Sequence, residues 1–105
     1  MAKNTAPEKQ QVRLNVNADS MKTSYANAFQ THTTPEEILL CFGVNQTTPS
    51  QEEGVSATMS LQLNDRVIMN YYTAKRLAMS LLQVVRDHEE RFGVIELDTN
   101  KRLVK

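Results

Sequence analysis

Residues 70–93 limit what this chain can fold into more than any other stretch. Ala74, Leu77, Ala78, Leu81, Val84, Val85, His88 and Phe92 recur at steps of three and four, while Lys75, Arg76, Gln83, Arg86, Asp87, Glu90 and Arg91 fall outside that stripe. The period is that of an α-helix with one apolar face, roughly 30 Å long at about 1.5 Å per residue. Such a face has to be covered, so the rest of the chain is expected to supply a sheet, with Leu81 at the centre of the contact. Asn70 can cap the first turn through its side-chain oxygen, and Gly93 can end the helix with a positive φ. Glu89 and Glu90 read as solvated charges rather than a carboxylate pair for acid–base chemistry.

Upstream, the period changes to two. Val12, Leu14 and Val16 alternate with Arg13, Asn15 and Asn17, which predicts a first strand. Residues 23–31 predict a second, with Tyr25, Asn27 and Phe29 on one face and Ala26, Ala28 and Gln30 on the other. Pro35 fixes a turn over residues 32–36. If His32 pairs with Glu37 across it, Cys41 falls opposite Ala28. Residues 37–44 form a third strand that is apolar on both faces and so is expected to be covered on both. Residues 45–58 are polar, with Pro49 and Gly54, and read as a mobile loop. Met59, Leu61, Leu63, Asp65, Val67 and Met69 alternate along a fourth strand, with a bend or bulge at Asn64-Asp65. Residues 94–97 add a short strand or pack under the helix end.

The expected fold is α+β, a mainly antiparallel four-stranded sheet with one long C-terminal helix packed on one face. Residues 1–11 form a flexible N-terminal arm, 12–97 a single domain, and 98–105 a C-terminal tail.

Composition narrows the function classes. A chain of 105 residues with 12 basic and 12 acidic side chains has zero formal net charge, so nothing global favours nucleic acid or an anionic membrane as partner. Arg66, Lys75, Arg76, Lys101, Arg102 and Lys105 read as solvated charges. No apolar run reaches the length of a membrane span and the N-terminus has no secretory core, so a cytoplasmic location is expected. Cys41 is the only cysteine, which leaves no internal disulfide and no thiolate cluster. His32, His88 and Cys41 stand in no metal-ligand spacing, and Gly43, Gly54 and Gly93 form no phosphate loop. No catalytic, cofactor-binding or metal residues are expected, and no cofactor.

With these residues in place, the chain resembles a bacterial family of small proteins classed only as a domain of unknown function. The resemblance rests on Tyr25-Ala26-Asn27 with His32, on Glu37-Ile38-Leu39-Leu40-Cys41-Phe42, on Arg66-Val67-Ile68-Met69, on Ala74-Lys75-Arg76-Leu77, and on residues 89–93. It spans residues 12–93. The family pattern often has an acidic residue at the position of Cys41 and a proline at that of Tyr71. The resemblance implies strands followed by one long helix, and no activity. In architecture alone the chain is similar to export chaperones built from four-stranded sheets and a long helix, an analogy of fold only.

A strand with two apolar faces and only one helix to cover it points to a non-enzymatic, self-associating protein-interaction module: a scaffold, an adaptor or a chaperone-like protein. Its expected partner is itself, as a dimer or larger homo-oligomer, with another protein as a further possibility. The expected interface is Ala26, Ala28, Leu39, Cys41 and Gly43 on the sheet face away from the helix. The alternatives are a small-ligand binder or enzyme with a site between sheet and helix, using Tyr25, Asn27 and His88, and, third, a nucleic-acid binder.

Overall fold

The computed structural model describes residues 11–102. Within them lie β1 (Ala28–Thr33), β2 (Glu37–Pro49), β3 (Ala57–Asn70), α1 (Tyr71–Phe92) and α2 (Thr99–Arg102). The strands form one antiparallel sheet in the order β1-β2-β3, so the fold is α+β with three strands, not four. The strand expected over residues 12–16 is absent from the sheet. Its alternation provides a face but no neighbour, and the chain bends after it, where Asn17 Oδ1 accepts from Asp19 N at 2.8 Å and Met21 N donates to Ala18 O at 3.1 Å. Of the expected arm, residues 1–10 lie outside the described residues.

The β1–β2 turn is built by Thr34. Its Oγ1 accepts from Glu37 N at 2.9 Å and Glu36 N at 3.3 Å, while Thr34 N donates to Glu37 O at 2.8 Å. The last ladder pair is therefore Thr33 with Ile38, and His32 stands opposite Leu39 rather than Glu37. The expected register slips by two residues, which preserves the faces and moves every partner along the strand: Gln30, not Ala28, is opposite Cys41.

β2 and β3 pair along their whole length, from Glu37 with Asn70 to Pro49 with Ala57. Residues 45–49 and 57–58, expected in a loop, are thus ladder. The connection is the short stretch between them, closed by Ser50 N to Ser56 O at 3.2 Å and Val55 N to Glu52 O at 3.1 Å. The ladder steps from Phe42–Asp65 to Gly43–Leu63, which leaves Asn64 as the extra residue of a bulge, where the sequence pattern breaks. A side-chain period of two means that one inserted residue exchanges the faces beyond it. Val67 and Met69 face the helix side with Leu40 and Ile38, whereas Leu63, Leu61 and Met59 pair with Gly43, Asn45 and Thr47 on the far side.

α1 follows β3 without a linker. Asn70 caps it, accepting from Thr73 N at 2.8 Å, and the Tyr71 hydroxyl donates to Thr34 O at 2.8 Å, tying the helix start to the β1–β2 turn. Gly93 ends it with φ 96° and ψ 168°, a region essentially confined to glycine. Glu89 is more than a solvated charge: its Oε2 accepts from Ile95 N at 2.9 Å and fixes the chain leaving the helix. Residues 94–97 form no strand. Arg102 donates through Nε to Glu96 O at 2.6 Å and through Nη2 to Leu97 O at 3.2 Å, closing the turn that contains α2.

Only the first half of the helix stripe meets the sheet. Ala74, Leu77, Ala78 and Leu81 face Ile38, Leu40 and Met69 across a shallow hollow. Leu81 is 54% exposed, so it marks the edge of the contact and not its centre. Among the described residues the only buried hydrophobic side chain is Cys41. The radius of gyration is 22.1 Å, with a longest extent of 87 Å, against about 13 Å for a compact domain of this length.

Candidate interaction surface

The helix places one apolar face over the sheet, and the bulge turns a second one away from it. On the helix side, the hollow between sheet and helix measures about 190 Å³ and is lined by Ile38, Leu40, Met69, Ala74, Leu77, Ala78 and Leu81, with no polar side chain among them. Ligand sites usually begin near 300 Å³ and carry a few convergent polar groups to orient what they bind. This one has neither. It is an imperfectly filled packing contact, continued along α1 by Val84, Val85 and Phe92, which are exposed.

On the far side, Ala28, Leu39, Cys41 and Gly43 come together as expected, with Ala28 directly opposite Gly43. Ala26 does not join them. It precedes β1 and lines, with Lys22, Ser24, Phe42, Asp65 and Val67, a hollow on the helix side. Cys41 is 5% exposed and Gly43 is buried, so both are already covered within the chain. At Gly43 the cause is the bulge: a Cβ there would lie 1.8 Å from Gln62 O, because the β3 backbone runs where a side chain would be.

The open apolar surface of the far side lies farther along the hairpin. Met59, Leu61 and Leu63 are 68%, 39% and 40% exposed, and Ile68, which pairs with the half-buried Leu39, is exposed as well. These residues were missing from the expected interface. For Met59, Leu61 and Leu63 the signal is the bulge at Asn64, which exchanges the faces beyond it; Ile68 lies before the bulge and faces the far side by alternation with Val67 and Met69. Three apolar residues at every second position along one exposed face are a contiguous row rather than scattered surface residues.

The polar candidates disperse. Asn27 is structural: its N donates to Gly43 O at 3.0 Å and its Oδ1 accepts from Asn45 N at 2.7 Å, extending the β1–β2 pairing by one residue. Asn45 Oδ1 is buried without a partner among the described residues. Tyr25 is exposed ahead of β1, and His88 stacks against Phe92 at 4.9 Å between ring centroids, beyond the part of α1 that meets the sheet. His88 lines a hollow at the end of α1 with Asp87, Glu90, Arg91 and Phe92, to which neither Tyr25 nor Asn27 contributes. The shifted register makes His32 and Cys41 diagonal neighbours on the far side, about 7–8 Å apart, yet the thiol is buried and the imidazole is exposed. Among the described residues no three His, Cys, Asp or Glu side chains converge as metal ligands, and no helix is long and apolar enough to cross a membrane.

A family model described as "Protein of unknown function (DUF3467)" matches residues 1–97. The chain belongs to that family. No curated protein and no solved structure matches it.

Proposed function

We propose that this member of the DUF3467 family is a non-enzymatic, self-associating protein-interaction module, a scaffold, adaptor or chaperone-like protein whose fold is completed by a second copy. The observation that carries the reading is how little of its apolar surface one chain buries. Among the described residues Cys41 is the only buried hydrophobic side chain, while Met59, Leu61, Leu63, Ile68, Leu81, Val84 and Val85 are exposed, more contiguous apolar surface than soluble monomers usually leave in water.

The placement of apolar groups supports the same reading. The helix has one stripe, and the bulge at Asn64 gives the β2–β3 hairpin apolar residues on both faces, so a single chain cannot cover Leu61, Leu63 and Ile68 with its own helix. A twofold arrangement that sets the far side against its own copy is the simplest closed solution. Light scattering at micromolar concentration tests this: a dimer or larger species is expected, and a wild-type monomer refutes it. Leu61→Arg places a charge in the proposed interface and should lower the mass to that of one chain.

A further inference from the structure

We infer that residues 12–16 of one copy add as a strand to the free edge of β3 in a second copy, alongside residues 59–63. This rests on the self-association just proposed and says what makes the contact. Val12, Leu14 and Val16 are 92%, 84% and 79% exposed; they alternate in sequence with Arg13, Asn15 and Asn17, in a segment that belongs to no helix or strand, so that in an extended conformation the three apolar side chains share one face. An isolated amphipathic strand is not stable in water; it requires a neighbour for its backbone and cover for its apolar face.

β3 offers both. Among the described residues it pairs only with β2, so the whole Ala57–Asn70 edge presents unused backbone donors and acceptors, and residues 59–63 contain no proline to interrupt a ladder. Met59, Leu61 and Leu63 repeat the spacing of Val12, Leu14 and Val16, and the intervening Ser60 and Gln62 match the polar Arg13 and Asn15. Superposing the two triplets aligns apolar with apolar on the far side and polar with polar on the helix side. This is the chemistry of strand addition, in which the backbone supplies affinity and alternate side chains supply register.

The path of the chain argues for exchange between copies. Lys22, Ser24 and Ala26 lie with Phe42, Asp65 and Val67 on the helix side of their own sheet, and the bend at residues 17–21 then carries residues 12–16 into solvent, clear of their own β3 edge. In a pair of copies each arm reaches the other sheet, and the fourth strand that the sequence pattern implies is supplied in trans.

Disulfide trapping tests this in the full chain with Cys41→Ala. Superposed triplets put Leu14 opposite Leu61 whichever way the added strand runs, so Leu14→Cys with Leu61→Cys should give a covalent dimer under mild oxidation; Leu14→Cys with Met59→Cys or with Leu63→Cys covers a register slip of two. A disulfide closed within one chain assigns the arm to its own sheet and overturns the exchange, as does the absence of linkage in all three pairs. An oligomeric wild type with no linkage removes the exchange and leaves self-association standing, whereas a monomeric wild type removes both. Independently, Val12→Asp with Leu14→Asp and Val16→Asp, all at exposed positions, should lower the oligomer mass; an unchanged mass overturns the proposal.

Discussion

Substituting Gly43 by alanine probes the feature that creates the second apolar face. The Cβ would lie 1.8 Å from Gln62 O and 2.7 Å from both Gln62 C and Leu63 Cα, all backbone atoms that cannot rotate aside. Reaching ordinary contact requires the β3 backbone to retreat by about 1.5 Å at its closest point, and crowding of this kind costs roughly 1–3 kcal/mol. A shift of that size also weakens one or two ladder hydrogen bonds beside the bulge, at about 1 kcal/mol each. Gly43→Ala should therefore destabilise the protein by about 2–5 kcal/mol, a large part of the 5–15 kcal/mol typical of a folded domain. The assay is urea unfolding followed by far-UV circular dichroism at one fixed protein concentration, with Gly54→Ala as the control. Gly54 has open space around it and a φ of 82°, so alanine there meets only backbone strain, about 1–2 kcal/mol. A Gly43→Ala protein within about 0.5 kcal/mol of wild type, the scatter of neutral surface changes, would refute the close strand approach and the exchange of faces derived from it.

Two further outcomes follow from the packing. Leu77, half-buried against the sheet, should lose about 2 kcal/mol on substitution by alanine, whereas the 54% exposed Leu81 should lose only about 1 kcal/mol from contacts within its own chain; urea melts of the two variants at low and high protein concentration check this, and a Leu81→Ala loss that grows with concentration places Leu81 under the partner. Replacing residues 51–55 with a short Gly/Ser linker should leave the melting temperature nearly unchanged, because loop-closure entropy varies slowly with length, while replacing all of 45–58 removes paired strand and should reduce both melting temperature and strand signal.

The helix was legible in the sequence because its signals agree: a stripe at steps of three and four, Asn70 at one end and Gly93 at the other. β3 was legible for a similar reason, down to the bulge at Asn64. The distal half of β2 was not. Residues 45–49 are polar on both faces, and alternation marks a strand only where one face is buried, so this segment is a strand solely because Met59, Leu61 and their neighbours pair with it. Residues 12–16 present the converse case, a clear strand pattern with no strand beside it in the chain. The β1–β2 register was missed by two because the Thr34 side chain shapes the turn, a local hydrogen-bond choice that hydrophobic pattern does not encode. Of the expected interface, Ala28, Leu39, Cys41 and Gly43 share a face because register fixes faces, but Ala26 lies outside the ladder, where strand parity no longer applies.

The claim that one chain is an incomplete fold is tested most directly by the melting temperature measured across a range of protein concentrations. If folding and association are one transition, each tenfold rise in concentration adds about 1.4 kcal/mol to the stability of a dimer. With an unfolding entropy of roughly 2.1 cal/mol/K per residue over two chains, that raises the melting temperature by about 3 °C per tenfold. Such a rise is the predicted result; a single cooperative transition whose midpoint stays fixed from sub-micromolar to hundreds of micromolar protein would contradict it.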